Sequence, residues 1–170
     1  NVAKKVAKQI VRSLSYRDFA SVIAYGDSPD QSTSINVQGT NENIQLLLSQ
    51  IDQIEMMPNN GTNIAAAIDF AYTVFEISES LSLTSRCTDV IVLLSGGDNT
   101  NPSPQPGVTI GAHPSKILFP LLVTNNVTTA KVNLFKGLAC GSRSVTANIT
   151  ADTESEILKW TVIIQYFSKL

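Results

Sequence analysis

The order of apolar and polar positions along the chain predicts alternating helices and strands. Helical stretches show apolar residues at every third or fourth position, and strands show short apolar or alternating runs. The predicted helices cover residues 1–15, 41–54, 62–77, 131–138 and 152 onward, and the predicted strands cover 19–25, 34–38, 89–95, 117–123 and 145–149. Thr153 and Glu156 stand at capping-box spacing at the start of the last helix.

The run Val90–Leu94 is the feature around which the other elements are arranged. Five consecutive aliphatic residues leave no polar face, which is typical of a parallel strand covered on both sides. The run ends at Ser95–Asn99, a small, polar, turn-forming cluster. In open α/β sheets ligands bind just beyond the carboxyl ends of such strands, so this turn is a candidate site.

Strands that alternate with helices predict the α/β class, with a Rossmann-like, mostly parallel sheet and helices on both faces. The whole chain, residues 1–170, is predicted to form one domain. Pro120 lies inside the apolar run 117–123 and has no backbone N–H, which argues against a fully paired central strand there. Asn41, and either Thr62 or Asn63, are the predicted N-caps of the two middle helices.

Composition narrows the classes of partner. Apolar residues make up 43% of the chain and charged residues 15%, with a formal net charge of -2, so a packed core is expected. Without a cluster of basic residues, nucleic acid is not expected to be a partner. No apolar run approaches the roughly 18 residues of a membrane span, so direct membrane insertion is not expected either.

Cysteines and glycosylation sequons leave the compartment open. Cys87 and Cys140 could form a disulfide with each other, pair with another chain, or remain thiols. Asn60, Asn126 and Asn148 each begin an Asn-x-Ser/Thr sequon, about as many as chance gives. A glycan on Asn60 would crowd the nearby residue Thr62.

Two local motifs make the chain resemble a von Willebrand factor A-type domain. Asn60–Asn63, at a helix start, resembles the turn that supplies a metal-binding threonine in that family, here Thr62. Val90–Leu94 and its glycine-rich turn resemble the family's strand that ends in Thr-Asp-Gly. Within the family the chain resembles extracellular alpha-2-delta calcium-channel subunits and related proteins with Cache modules, through the segments 85–87 and 138–141.

The resemblance implies a metal site built from three loops, but the match is incomplete. The chain begins in the helix that should follow the first loop, and Gly96 stands where the family has an aspartate, unless Asp98 reaches in. Thr62 matches, although from this chain alone a plain helix N-cap is the better interpretation of Thr62. We therefore expect no cofactor, or Ca²⁺ or Mg²⁺ only if upstream ligands complete the site.

The resemblance also implies a gap in the sheet. In a 3-2-1-4-5-6 strand order the first strand lies between 19–25 and 90–94, and that strand is missing from this chain. We expect the chain to be an N-terminally incomplete fragment of a longer protein, or another segment to fill the gap. Direct hydrogen bonding between those two strands would contradict this.

Function is therefore expected to be that of a non-enzymatic extracellular module for protein interaction and assembly. The alternative is a metal-ion-dependent adhesion domain or calcium-channel auxiliary-subunit-like domain with its remaining ligands upstream. A nucleotide-binding enzyme is disfavoured because no phosphate-binding glycine motif follows Gly96, and His113, the only histidine, lies in a proline-rich loop. That loop, Asn99–Pro114, is the predicted contact surface.

Overall fold

A computed structural model of the chain describes residues 2–30, 34–55, 61–85, 87–100, 116–141 and 147–149. Its elements in chain order are α1 (Val2–Arg12), β1 (Phe19–Ala20), β2 (Val37–Gln38), α2 (Asn41–Gln53), α3 (Ile64–Ser80), β3 (Val90–Ser95), β4 (Ile117–Val123), α4 (Thr129–Gly141) and β5 (Ala147–Ile149). The predicted C-terminal helix lies outside the described residues. Among the helices of the described part, none is both long and apolar enough to cross a membrane.

The described strands form two sheets. The larger has the order β3-β4-β5, and both pairings are parallel, as the sequence predicts. The smaller pairs β1 with β2 antiparallel, and β2 lies within the strand predicted at residues 34–38. The predicted strand 19–25 is regular only at Phe19–Ala20, and an isolated bridge joins Tyr25 to Pro29 further along.

Helices cover both faces of the larger sheet because its strands are apolar on both sides. On one face, Val6 of α1 forms a cluster with Phe119 and Leu121, against which Val90, Val92 and Leu94 also pack. On the other face, residues of α3 and α4 meet the alternate residues of β3 and β4. The buried members of that second cluster are Ile64, Ile68, Tyr72, Leu93, Leu118, Leu122, Phe135 and Leu138. The predicted α/β architecture is therefore correct.

One helix start differs by one residue from the prediction, and the other is one of the two predicted residues. The N-cap of α2 is Thr40 rather than Asn41, because the Thr40 side chain accepts from the backbone N–H of Asn43. The N-cap of α3 is Asn63, whose side chain accepts from the N–H of Ala66. The interpretation of Thr62 as a plain N-cap is therefore wrong, since Thr62 lies one residue before the cap.

Pro120 is accommodated inside a strand that is paired on both edges. The N–H of Ile117 donates to the carbonyl of Asp89, so the odd-numbered residues of β4 point their backbone groups towards β3. Pro120 therefore turns its nitrogen away from β3, towards the side on which the described residues Leu121–Val123 pair with Ala147–Ile149. The missing donor costs no bond to β3, and β4 is the middle strand of the described sheet, so the expectation that Pro120 argues against a central strand was wrong.

A groove separates the two sheets. The segment 19–25 and β3 are not paired with each other among the described strands. Between them lies a cavity of about 1810 Å³, lined by both of these segments and by residues of α1 and α3. We call this cavity the groove. It lies where the strand order predicts the gap.

Candidate functional site

Three loops meet at the end of the sheets where β3 ends, and we call this end the carboxyl edge. They are residues 25–28, 61–63 and 96–100. The loops come from distant parts of the sequence and are joined by direct hydrogen bonds, described below. Ligand sites of open α/β sheets lie at this end, so the carboxyl edge is the candidate functional site.

Thr62 and Thr100 fasten two of the loops together. The N–H of Thr62 donates to the Thr100 hydroxyl at 2.7 Å, and the N–H of Thr100 donates to the carbonyl of Thr62 at 2.9 Å. Thr62 is thus held through its backbone, and no pattern in the sequence indicates Thr100 as its partner. The pair fixes the turn after β3 relative to the start of α3.

Asn99 reaches the N-terminus of α3. Its Oδ1 accepts from the N–H of Ile64 at 3.2 Å, while Asn63 Oδ1 accepts from the N–H of Ala66 at 3.0 Å. The first N–H groups of a helix have no partner within the helix, so these two amide side chains satisfy donors that would otherwise be unpaired. Asn99 and Thr100, rather than the predicted Asp98, are the residues after β3 that contact the threonine loop and the start of α3.

Asp27 connects the remaining loop. Its Oδ2 accepts from the N–H of Gly61 at 3.2 Å, and the N–H of Asn63 donates to the carbonyl of Gly26 at 2.8 Å. A side chain at position 61 would overlap the Asp27 carboxylate and the Thr100 hydroxyl. Only glycine permits this close approach, which explains the glycine in the Asn60–Asn63 motif.

Asp98 is paired with a cation that belongs to the protein. Its Oδ2 lies 3.0 Å from the Nζ of Lys131 in α4, and the Asp98 side chain is 66% exposed. The aliphatic part of Lys131 runs beside Gly97, where a Cβ would lie 2.9 Å from the Lys131 Cδ. Asp98 therefore points towards α4, and its carboxylate is partly neutralised without any bound ion.

The described residues of the carboxyl edge do not assemble the ligand set of the metal site that the resemblance implies. Such a site needs several oxygen ligands, including carboxylates, on one cation. Within the described ranges, no three histidine, cysteine, aspartate or glutamate side chains lie close enough to hold a metal ion. Of the two metal candidates, Thr62 is bonded to Thr100 through its backbone and Asp98 is bonded to Lys131. The two candidates therefore make contacts to different elements.

Tyr25 joins the first loop to β3. Its hydroxyl donates to the carbonyl of Leu94 at 3.3 Å. Burial raises the pKa of Tyr25 to about 12, and a hydrogen bond with the Ser95 side chain offsets part of that rise. The raised pKa means that the folded protein favours the neutral phenol.

This raised pKa predicts an alkaline loss of stability. Because the folded pKa exceeds the usual value of 10, the stabilisation is complete below pH 10 and is lost as pH rises through about 12. Between pH 9 and pH 11 the wild type should lose roughly 1 kcal/mol more unfolding free energy than Tyr25→Phe, measured by urea denaturation. Burial also raises the pKa of Tyr72. Because Tyr72 is present in both proteins, its effect on the unfolding free energy cancels in the comparison. Identical pH profiles would contradict the assignment.

The other predicted site residues lie away from this edge or outside the described part. Asn126 is exposed in the turn before α4, which suits a glycan acceptor. Asn60 is outside the described residues, and so are the side chain of Asn148, which lies in β5, and that of Cys140, which lies in α4. Cys87 is a free, exposed thiol, which is one of the alternatives that the sequence left open. His113 and most of the predicted contact loop Asn99–Pro114 also fall outside the described residues.

Comparison with models of protein families identifies a family that includes most of the chain. A model of the von Willebrand factor type A domain matches residues 1–157 of the 170-residue chain. The match includes every element described above, together with the three loops of the carboxyl edge. No curated protein sequence matches the chain.

Proposed function

This chain belongs to the von Willebrand factor type A domain family, and we propose that it is a non-enzymatic module that binds partner proteins at its carboxyl edge without a divalent cation. The observation that carries the proposal is the ion pair between Asp98 and Lys131 at that edge. Protein binding fits the family, whose domains are interaction modules. Independence from metal is a property we propose for this chain.

The ion pair supports metal independence through its charge and its position. In the metal site that the resemblance implies, an acidic side chain after β3 would help to hold a cation. In this chain Lys131 supplies the positive charge beside Asp98 from within the fold. A divalent ion would have to displace an ammonium group 3.0 Å from the carboxylate. The edge is held in shape by direct hydrogen bonds among Thr62, Asn99 and Thr100, so it does not need a metal to bring its loops together.

Several observations favour interaction over catalysis. The Ser95 hydroxyl at the end of β3 has a structural role, because it accepts a hydrogen bond from the N–H of Gly97 at 3.2 Å and so supports the turn. The only histidine of the sequence is His113. The exposed Asp27 and Asp98 give the carboxyl edge an acidic rim, which suits polar contacts with a protein surface.

We further propose an extracellular or cell-surface location, in a larger assembly of the alpha-2-delta type. The support is the sequence likeness of the cysteine-bearing segments 85–87 and 138–141. The exposed position of Asn126 is compatible with glycosylation there. Mass spectrometry of the native protein should find a glycan on Asn126, and unmodified sequons throughout would count against this location.

Metal titration tests the first part of the proposal. We expect 5 mM Mg²⁺ or Ca²⁺ to shift the melting temperature of the chain by less than about 1 °C. A cation bound with a dissociation constant a hundredfold below its concentration would stabilise by about 2.7 kcal/mol, which is a shift of roughly 5–10 °C. Differential scanning fluorimetry in EDTA and in each metal makes the comparison.

Two variants make the titration specific. A metal-induced rise in the wild type that disappears in Asp98→Asn would show that Asp98 binds the ion, and would contradict the proposal. Lys131→Met, which removes the internal cation, should also give no rise, because one carboxylate and one hydroxyl are too few ligands for tight binding. A rise confined to Lys131→Met would show that the lysine blocks a metal site, which agrees with the wild type being independent of metal.

Partner capture tests the second part. Immobilised chain is incubated with biotin-labelled proteins from intact cell surfaces, in Mg²⁺ and in EDTA. Asp98→Arg should lose the captured partner in both buffers, while Leu81→Ser should keep it. Leu81 is the matched control because it is 57% exposed and caps the far end of α3, about 25 Å along the helix from the carboxyl edge. Loss of the partner in EDTA alone would support the metal-dependent alternative.

A further inference from the structure

We propose that Cys87 is a modification site that accepts a small cationic aminothiol, with an ammonium group two carbons from its sulfur, as a mixed disulfide. The site lies just before β3 begins at Val90, at the opposite end of the strand from the carboxyl edge, so it is independent of the function proposed there. A free thiol, an uncompensated carboxylate and a buried amide line the same small cavity, and together they select this class of ligand.

A cavity of about 160 Å³ lies between the end of α3 and the loop that leads into β3, and we call it the thiol cavity. Its lining residues are Asn36, Phe75, Glu79, Thr84, Cys87 and Asp89. A protein cavity of about 150 Å³ holds a molecule the size of benzene. The thiol cavity therefore suits an occupant of about six non-hydrogen atoms, and a tripeptide thiol is too large to enter it.

Hydrogen bonding and a cation–π contact hold the walls of the thiol cavity in place. The backbone N–H of Asn36 donates to the hydroxyl of Ser78 at 2.8 Å, and Ser78 is fully buried in α3. The Nζ of Lys116 lies 5.3 Å from the centre of the Phe75 ring. The cavity is therefore part of the packed fold, because its walls are tied to α3 and to the residue that precedes β4.

Cys87 supplies the reactive atom. Its thiol is free and exposed, and its Sγ donates to the carbonyl of Ser85 at 3.6 Å. A thiolate attacks one sulfur of a disulfide and releases the other half of the reagent. An exposed thiol that also lines a cavity can make this bond while the attached group enters the cavity. Exposure alone would admit any small disulfide, so the selectivity comes from the other lining groups.

The charge of the thiol cavity favours a cation. Two carboxylates line it, those of Glu79 and Asp89. Asp89 forms an ion pair with Lys116, whereas no cation of the described residues pairs with Glu79. One negative charge is therefore left uncompensated at the wall, where it attracts an ammonium group and repels an anionic thiol.

Asn36 supplies a second group for an ammonium ion. This residue is 5% exposed, and its side-chain amide makes no hydrogen bond within the described part of the chain. A buried amide without a partner is costly, because it has lost its bonds to water. Since Asn36 lines the thiol cavity, its Oδ1 can accept from an occupant, and an ammonium group carries three donors.

The step transfers half of a symmetric aminothiol disulfide, cystamine, to the protein. The Cys87 thiolate forms a new S–S bond with one sulfur of cystamine, and the original S–S bond breaks. The second half leaves as a thiolate and takes up the proton that Cys87 released. Cys87 is oxidised and cystamine is reduced, so no further oxidant is needed. The group left on Cys87, a sulfur, two methylenes and an ammonium, is smaller than benzene and fits the cavity.

A comparison of two disulfides tests the proposal. The folded chain is treated with excess cystamine, or with hydroxyethyl disulfide, which carries a hydroxyl in place of each ammonium. Mass spectrometry of the peptide that contains Cys87 follows both reactions. The ratio of their rate constants cancels the reactivity of the Cys87 thiol, and the same ratio in the urea-unfolded chain corrects for the reagents. We expect the corrected ratio to favour cystamine by roughly 10-fold. Glutathione disulfide, which is larger and anionic, should react more slowly than either after the same correction.

Two glutamates of α3 provide matched variants. Glu79→Gln should remove most of the preference for cystamine. Glu76→Gln removes the same charge from an exposed position that is not among the lining residues, and should keep the preference. Asn36→Leu preserves the size of the side chain and the backbone bond to Ser78, and should also lower the preference. The melting temperature of each variant shows that it is folded.

Four results would overturn the proposal. The corrected ratio could be close to one, or glutathione disulfide could react as fast as cystamine. Glu79→Gln and Glu76→Gln could lower the ratio equally, which would assign the preference to the net charge of the chain. Cys87 could already form a disulfide with Cys140 or with a second copy in the native protein, which peptide mapping without reduction would show.

Discussion

Gly97→Ala is expected to lower the free energy of unfolding by about 2–5 kcal/mol. Gly97 has a φ of +85°, a left-handed conformation that costs an L-residue about 1–2 kcal/mol. A Cβ there would also lie 2.6 Å from Leu122 Cδ1 and 2.9 Å from Lys131 Cδ. Leu122 is fully buried and cannot move away freely, so overpacking adds about 1–3 kcal/mol.

The neighbouring glycine is the control. Gly96 is exposed, and a Cβ added there meets nothing within 4 Å, so Gly96→Ala should change stability by no more than about 0.5 kcal/mol. Urea denaturation of the three proteins measures both values. Equal stabilities for the two variants would show that the turn after β3 does not have the described backbone. Gly97→Ala should also weaken partner capture, because it displaces the lysine that holds Asp98.

Phe119→Ala is expected to destabilise the fold by about 3–5 kcal/mol. Phe119 lies in β4, is 2% exposed, and packs with Val6 of α1 and Leu121. Removing the ring leaves a cavity between α1 and the sheet, which the surrounding aliphatic side chains can fill only in part. The loss should appear as a lower urea midpoint with an unchanged slope, since the extent of surface exposed on unfolding stays similar.

Two comparisons separate packing from a general effect of truncation. Phe119→Leu keeps most of the volume and should cost less than about 1.5 kcal/mol. Leu46→Ala removes an apolar side chain that is 50% exposed, and should change stability by no more than about 0.5 kcal/mol. A Phe119→Ala effect as small as that of Leu46→Ala would contradict the packing of α1 against β4.

The elements were predictable where a hydrophobic pattern extends over several residues. Val90–Ser95 and Ile117–Val123 are strands within a residue of their predicted bounds, because continuous aliphatic runs suit strands covered on both faces. The stripes of α1 to α3 were likewise visible as apolar positions at helical spacing. Helix starts were less accurate, since Thr40 and Asn41 are both good N-caps and only the backbone conformation decides between them.

Pro120 shows why a local rule can fail inside a correct fold. Proline opposes a paired strand only if its nitrogen points at a neighbour that needs a donor. The register of β4 against β3 turns the Pro120 nitrogen to the opposite edge, so the ladder between β3 and β4 needs no donor from it. That register depends on the packing of the whole sheet, so no window of sequence around Pro120 contains it.

The position of the candidate site in the fold was predicted correctly, but the contacts that its residues make were not. The turn after β3 and the Asn60–Asn63 motif do lie together, as the carboxyl ends of an α/β sheet require. Asn99, Thr100, Asp27 and Lys131 make the contacts that hold the carboxyl edge. Asn99 and Thr100 were included only within longer predicted segments, and Asp27 and Lys131 were not predicted as site residues. Asn99 and Thr100 follow a predicted buried strand, which was a usable signal. Nothing in the sequence near Lys131 indicates that it would pair with Asp98.

The sequence by itself determined the elements, the burial of β3 and β4 on both faces and the α/β class, because these follow from the order of apolar residues within short windows. Only the tertiary structure decided which polar groups meet. Ile64 meets Asn99 across 35 positions, Lys131 meets Asp98 across 33, and Tyr25 meets Leu94 across 69. Such contacts form only where packing brings distant segments together, because a hydrogen bond requires its donor and acceptor atoms to lie within about 3.5 Å of each other. The edge of β3 that faces away from β4 belongs to the same class, since its orientation follows from the register between the two strands.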